Sequence, residues 1–283
     1  MVIVVITNAL NIALDFLFIV GMDMRAEGAA MATVTAEYIG CAVALWAVWR
    51  QLPPILIPQL IADMKVASAY KQLIQSNRHL FVRTLCLLFS FAFFTAQGEN
   101  LGSATLAANT LMLQLMMMAA YGMDGFAFAA EGICGQQLGG RNLAGFRHAV
   151  NRCALWTAIS AVAISLGLWL LQMPLVNVLT GLDSVQELML SFFPWLILLP
   201  LAAAPSYLLD GVFIGAAETR YMMYTMLLCV FLVYLPLWYV TLSLGNHGLW
   251  LAFTAFNLAR GVTLYYCFVQ LSIAGKWLAE PTG

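Results

Sequence analysis

Long apolar runs separated by short polar punctuation dominate this chain. A helix needs about 20 predominantly apolar residues to cross hydrocarbon. The pattern offers eight such segments, near 2–21, 28–49, 79–97, 104–127, 149–171, 187–209, 221–243 and 247–270. Pro and Gly interrupt several of them. Membrane helices tolerate this because neighbouring helices and water re-satisfy the freed backbone groups. The stretch 51–78 breaks the pattern: "QLPPILIPQL" gives way to the polar "KQLIQSNRH". It reads as a long connector with an amphipathic surface helix near 60–76. The expected fold is therefore an all-α, polytopic transmembrane helical bundle.

Composition supports that class. The chain is 63% hydrophobic and only 9% charged, whereas soluble domains run near 25% charged. Too few charges are available to cover a water-facing surface, so membrane lipid is the surrounding partner. A net charge of −1 gives no support for a nucleic-acid partner. The six cysteines (Cys41, Cys86, Cys134, Cys153, Cys229 and Cys267) stand singly in apolar segments, as small packing residues do. No metal-ligand spacing, HExxH, GxSxG or Gly-rich phosphate loop occurs, and His79, His148 and His247 lie near span ends on different segments. An enzyme is not expected, nor a metal or an organic cofactor. The first apolar run has no basic lead and no A-x-A site, so it reads as a span and not as a cleaved leader.

Basic residues set the expected orientation. Arg50, Lys65, Lys71, Arg78, Arg141, Arg147, Arg152, Arg220 and Lys276 follow even-numbered spans, and Arg25 alone follows an odd one. Nine against one is a positive-inside signal that places both termini in the cytoplasm. Arg83 and Arg260 remain, inside or at the edge of spans.

The chemistry sits in a few polar residues within apolar runs. Asp15, in "NALNIALDFLFIVG", lies near the middle of the first span, where a carboxylate costs about 2.5–3.5 kcal/mol on insertion scales. Asn11, four residues earlier, shares its helix face, and Thr33 on the next span reaches both if the helices pack closely. An exchangeable proton or sodium ion would offset the cost and is the preferred reading; a structural hydrogen bond between helices is its rival. Asp124 and Glu131 share one face of the fourth span, and Asp210 in "YLLDG" has Tyr207 one turn before it. These residues line a cavity or are hydrated helix ends. Arg260 suits a counter-charge for the acids. For Arg83, snorkelling from the start of its span is preferred over pairing. Glu37, four residues after Thr33, is either a relay group or hydrated. The run "LMLQLMMMAAYGM" suggests lipid-facing or packing methionine, with Gln114, Met117 and Tyr121 able to line a substrate cavity from one face.

"EGAAMATVTAEYIG" and "HGLWLAFTAFNLARG" align Gly28 with Gly248 and Ala32 with Ala252, 220 residues apart. Repeated halves are common in transporters. With a six-helix unit, spans three to eight form one lobe and spans one and two the last third of another, so about four helices would precede Met1. The expected organisation is 1–50 for those last two helices, 51–78 for the connector, 79–275 for the complete lobe and 276–283 for a cytoplasmic tail.

Several stretches also carry a family likeness. "NALNIALDFLFIVGMDMRAEGAAMATVTAEY" resembles helices five and six of the multidrug and toxic compound extrusion transporters. "YGMDGFAFAAEGICGQQLGGRN" and "YLLDGVFIGAAETRYM" resemble the eighth and tenth helices, with their loops, of the DNA-damage-inducible subfamily. The resemblance covers nearly the whole chain. It implies a bacterial inner-membrane antiporter, monomeric when full length, whose two six-helix lobes alternate access to a central cavity and export amphipathic, often cationic compounds. It also implies that Asn11, Asp15 and Thr33 belong to a first-lobe cation site for a proton or sodium ion. On this resemblance the helix that carries another family acid would precede Met1. A lipid-linked sugar flippase of the same superfamily, with a more cationic cavity, and a non-transporting membrane protein are the rival readings.

Overall fold

The computed structural model describes residues 2–51 and 67–278, and those residues fold as helices and short turns without strands. Contacts divide the chain into two compact units, Met1–Lys71 and Gln72–Gly283.

In the first unit, α1 (Val2–Asp15) runs into one π-helical turn, Phe16–Gly21. A tight turn with Asp23 and Arg25 at positive φ (54° and 24°) leads into α2 (Arg25–Gln51). The buried positions of α2 are Gly28, Ala32, Ala36 and Gly40. Their spacing of four places them on one stripe. Lipid tails are as apolar as leucine, so membrane helices associate through close packing of small residues. A β-carbon at Gly28 would lie 3.2 Å from Cβ of Phe18, and one at Gly40 would collide with Thr7.

The second unit contains α3 (Ala67–Asn100, whose first turn falls in the other unit), α4 (Ser103–Gly139), α5 (Leu143–Leu170), a short α6 (Gln172–Leu179) and α7 (Asp183–Gly215). There follow α8 (Thr219–Leu228), a second π-helical turn (Cys229–Tyr234), α9 (Leu235–Val240) and α10 (Asn246–Ile273). Helix α7 is central, packing on α4, α5 and α10. The contact with α4 is tightest because Gly211 and Gly215 lie directly against the carbonyls of Ala127 and Glu131. Substituting Val for Gly211 forces the two backbones apart. We expect a loss of about 1–3 kcal/mol, as for other overpacked sites, read as a lower unfolding midpoint in detergent.

Two large hydrophobic clusters, with a small third of Met123, Ala161 and Ala204, form the core of this unit. One gathers Phe94, Met112, Tyr234, Trp250, Phe253 and Phe256; the other gathers Phe146, Val212, Phe213, Leu264 and Trp277. Aromatic rings carry much of the first: Phe94 meets Trp250 edge-on at 4.9 Å, and Phe93 meets Trp238 likewise at 4.9 Å. Asn109 and Asn246 exchange hydrogen bonds of 2.8 and 2.9 Å, and Trp250 donates to Asn109 at 2.9 Å, which ties the starts of α4 and α10 together.

Seven helical stretches among the described residues are long and apolar enough to cross a membrane. The eighth span expected from the sequence is present as α10, 28 residues long. It falls outside the seven because Asn246, His247, Asn257, Arg260 and Gln270 dilute its apolar character. Helices also outrun the apolar runs that announced them: α4 has 37 residues and α7 has 33. At 1.5 Å per residue, both exceed a hydrocarbon core of about 30 Å, so polar ends continue the helix. The connector 51–78 differs from expectation in the same way. Residues 67–78 begin α3, and 52–66 lie outside the described residues. In the 276–283 tail, Lys276–Leu278 form a 3-10 turn whose Trp277 is buried against Phe146, Phe213 and Phe268; residues 279–283 lie outside the description.

Candidate functional site

Each unit holds a polar site. In the first, the amide of Asn11 donates to the Thr33 hydroxyl at 3.3 Å, and that hydroxyl donates to the carbonyl of Ala29 at 3.0 Å. The sequence spacing anticipated this link across α1 and α2. Asp15 ends α1 where the π-helical turn begins. One extra residue per turn at such a point shifts the helix face, and π-turns recur at functional sites. The Oδ1 atom of Asp15 is buried and has no hydrogen-bond partner among the described residues. A buried acceptor without a partner costs about 1–3 kcal/mol, more when charged, and a proton, a cation or water would relieve it. Glu37 is exposed on α2.

In the second unit a charged seam lies between the two apolar clusters. Asp210 of α7 is 7% exposed, and its Oδ2 accepts from both Arg83 of α3 and Arg260 of α10, the latter at 2.9 Å. Arg260 also donates to Asn257 Oδ1 at 3.3 Å and lies 5.6 Å from the centre of the Phe256 ring. Asp124 of α4 makes no ion pair among the described residues, yet it lies within electrostatic reach of Arg83 and Asp210. Two acids and two arginines from four helices thus converge, and their formal charges cancel. Buried ions persist in apolar surroundings only when paired and hydrogen-bonded. This explains Arg83: the sequence favoured snorkelling to the surface, but a carboxylate is within reach and the surface is not needed.

A cavity of about 60 Å³ adjoins the seam, with Arg83, Tyr207, Asn257 and Arg260 on its polar side and Phe91, Met116, Met123 and Phe253 among its apolar walls. Tyr207 lines this cavity. Gln114, Met117 and Tyr121 do not line it. They form an exposed stripe on α4, while Met116, Ala119 and Met123 turn inward. Glu131 lies further along α4, half-buried, with its carbonyl against Gly215. Asn257 was missed by sequence reasoning, although its spacing of three from Arg260 already put both on one face of α10. His79 was also missed as a contact; it is buried and bonds Thr219 at 3.2 Å.

An all-helical bundle of membrane-crossing length, with balanced charge held at its centre, defines a polytopic membrane protein. Comparison makes this specific: a family model described as MatE matches residues 80–240, and the chain belongs to that family. Its members are membrane transporters and not enzymes. The chain is 33% identical over 279 residues to DNA damage-inducible protein F of Escherichia coli, covering 98% of this chain and 60% of that protein. It is 22% identical to Protein DETOXIFICATION 43 of Arabidopsis thaliana, over 92% of this chain and 48% of that protein. The chain thus spans about half to three-fifths of these relatives' length. In fold it resembles a mutant of the Vibrio cholerae MATE transporter VcmN, with a TM-score of 0.85 at 20% identity, over 99% of this chain and 63% of the other. It also resembles a MATE structure in the straight conformation, with a TM-score of 0.83 at 18% identity, over 97% and 63%.

Proposed function

We propose that this chain forms the larger part of a cation-coupled exporter of amphipathic organic compounds in the bacterial inner membrane, working by alternating access. In this reading both termini are cytoplasmic and the complete transporter is monomeric. Asp15, Asn11 and Thr33 form the coupling site, and a proton or sodium ion is the only cofactor. The observation that carries the proposal is the buried Asp15 oxygen at the π-helical junction, without a hydrogen-bond partner among the described residues, beside a face that already offers an amide and a hydroxyl. A group that must be neutral in one state and charged or metal-bound in another needs such incomplete pairing. Coupling follows if ion and cargo stabilise different states or compete for one.

The cargo's charge is a separate matter. Several intramembrane acids against two arginines favour cationic compounds modestly, but Asp210 is already engaged by both arginines, and Asp124 lies near one of them. The arginine-lined cavity is the one observation that favours the second reading, a flippase for lipid-linked sugars with anionic headgroups. At about 60 Å³ it is far smaller than the 300–1,000 Å³ of ligand pockets, so the exporter reading stands first.

The test is drug resistance and dye efflux in cells that express residues 1–283, alone and joined to the portion of the E. coli relative that the chain does not match. The expected result is no resistance from the chain alone and measurable efflux from the extended form. Equal resistance from both would show that the two units need no further helices. Absence of efflux from a well-folded extended form, with headgroup-labelled lipid translocated instead, would favour the flippase.

A further inference from the structure

The polar lining of the cavity between α3, α4, α7 and α10 consists of Arg83, Arg260, Asn257 and Tyr207, and neither Asp210 nor Asp124 reaches it. A guanidinium only donates hydrogen bonds, and the phenol and amide have donors as well. The one acceptor of Asn257 that matters here, Oδ1, is already taken by Arg260 at 3.3 Å, and its amide nitrogen donates to the Phe253 carbonyl at 2.9 Å. Both arginines spend a donor on the same oxygen of Asp210. The Nε of Arg83 is buried and has no hydrogen-bond partner among the described residues. Arg83, Asp210 and Arg260 together carry a surplus positive charge, and the acid that balances it, Asp124, stands outside the cavity lining. A cation placed in the cavity would face donors of like charge. A negatively charged acceptor would face complementary groups on its polar side and apolar walls opposite.

We infer that this cavity is a subsite for a small anionic group: the carboxylate head of an amphipathic molecule, or a free monovalent anion such as chloride. Its volume suits a headgroup and not a whole drug, and the cavity is partly open, so an apolar body extends away from the arginines. The link to an amphipathic cargo rests on the exporter reading; the binding itself does not. Failure of efflux would therefore leave the binding result standing, and the reverse.

The test is equilibrium binding of radiolabelled benzoate, benzylamine and benzyl alcohol to residues 1–283 in lipid nanodiscs at constant ionic strength. Benzoate is expected to bind at least tenfold more tightly than either of the others. Arg83→Lys keeps the charge that faces Asp210 but loses the Nε donor, and should reduce benzoate affinity about tenfold while leaving benzyl alcohol unchanged. Asn257→Leu leaves both ion pairs in place and should reduce it at least threefold. Competition by chloride would assign the subsite to free anions as well; a lack of competition would assign it to carboxylates with apolar bodies. Benzylamine bound as tightly as benzoate, or benzoate affinity unchanged in both variants, would overturn the inference and leave the cavity to water.

Discussion

Replacing Asp210 by Asn lowers the stability of the second unit by about 3–5 kcal/mol, the usual cost of breaking a buried ion pair from one side. The carboxylate is the shared acceptor of Arg83 and Arg260, and the Arg260 side chain is only 6% exposed. Without it two guanidinium groups remain in an apolar seam with no ion-pair partner among the described residues. The measurement is an unfolding titration in mixed detergent micelles. Asp210→Asn should unfold at clearly lower denaturant. Asp124→Asn breaks no ion pair among the described residues and should shift the midpoint by about 1 kcal/mol or less. Changing the whole Arg83–Asp210–Arg260 triad to apolar residues of similar volume should restore most of the loss, because it removes the paired charges together with their desolvation cost. An Asp210→Asn protein as stable as the original would show that the arginines find other acceptors and that the seam does not hold the helices.

The class of fold was legible because one signal is strong in membrane proteins: an apolar run of bilayer length has few alternatives to a helix. Helix ends were less legible. Nothing in "KQLIQSNRH" distinguishes a surface helix from the first turns of α3, since polar residues continue a helix into water as readily as they start one. The Asn11–Thr33 bond was legible because Gly28, Ala32, Ala36 and Gly40 allow α1 and α2 to approach closely, and the four-residue spacing of small residues is visible in the sequence. The triad was half legible. Arg260 lies deep in a span and had to be paired, but Arg83 lies six residues after Asn77, where its spanning stretch begins, and equally suited a snorkelling side chain. Only the three-dimensional proximity of α3 to α7 decides between those outcomes. The π-helical turn after Asp15 had no sequence signal: "DFLFIVG" reads as ordinary apolar helix.

Asp15→Asn should have the largest effect on function. Asn resembles the protonated carboxyl in shape and keeps a hydrogen-bonding oxygen, so the π-helical turn and the Asn11–Thr33 contact are expected to persist. It cannot take up or release a proton near neutral pH, and it offers a bound cation a dipole in place of a charge. Substrate binding should survive at least in part, but should no longer respond to pH or sodium. The decisive measurement is efflux of a fluorescent substrate from proteoliposomes that contain the extended chain, under an imposed proton gradient and, separately, an imposed sodium gradient. The account predicts gradient-driven efflux for the original sequence under at least one gradient and none above leak for Asp15→Asn under either. Efflux by Asp15→Asn at the original rate under both gradients would contradict it, and would make Asp15 a structural contact with coupling seated elsewhere.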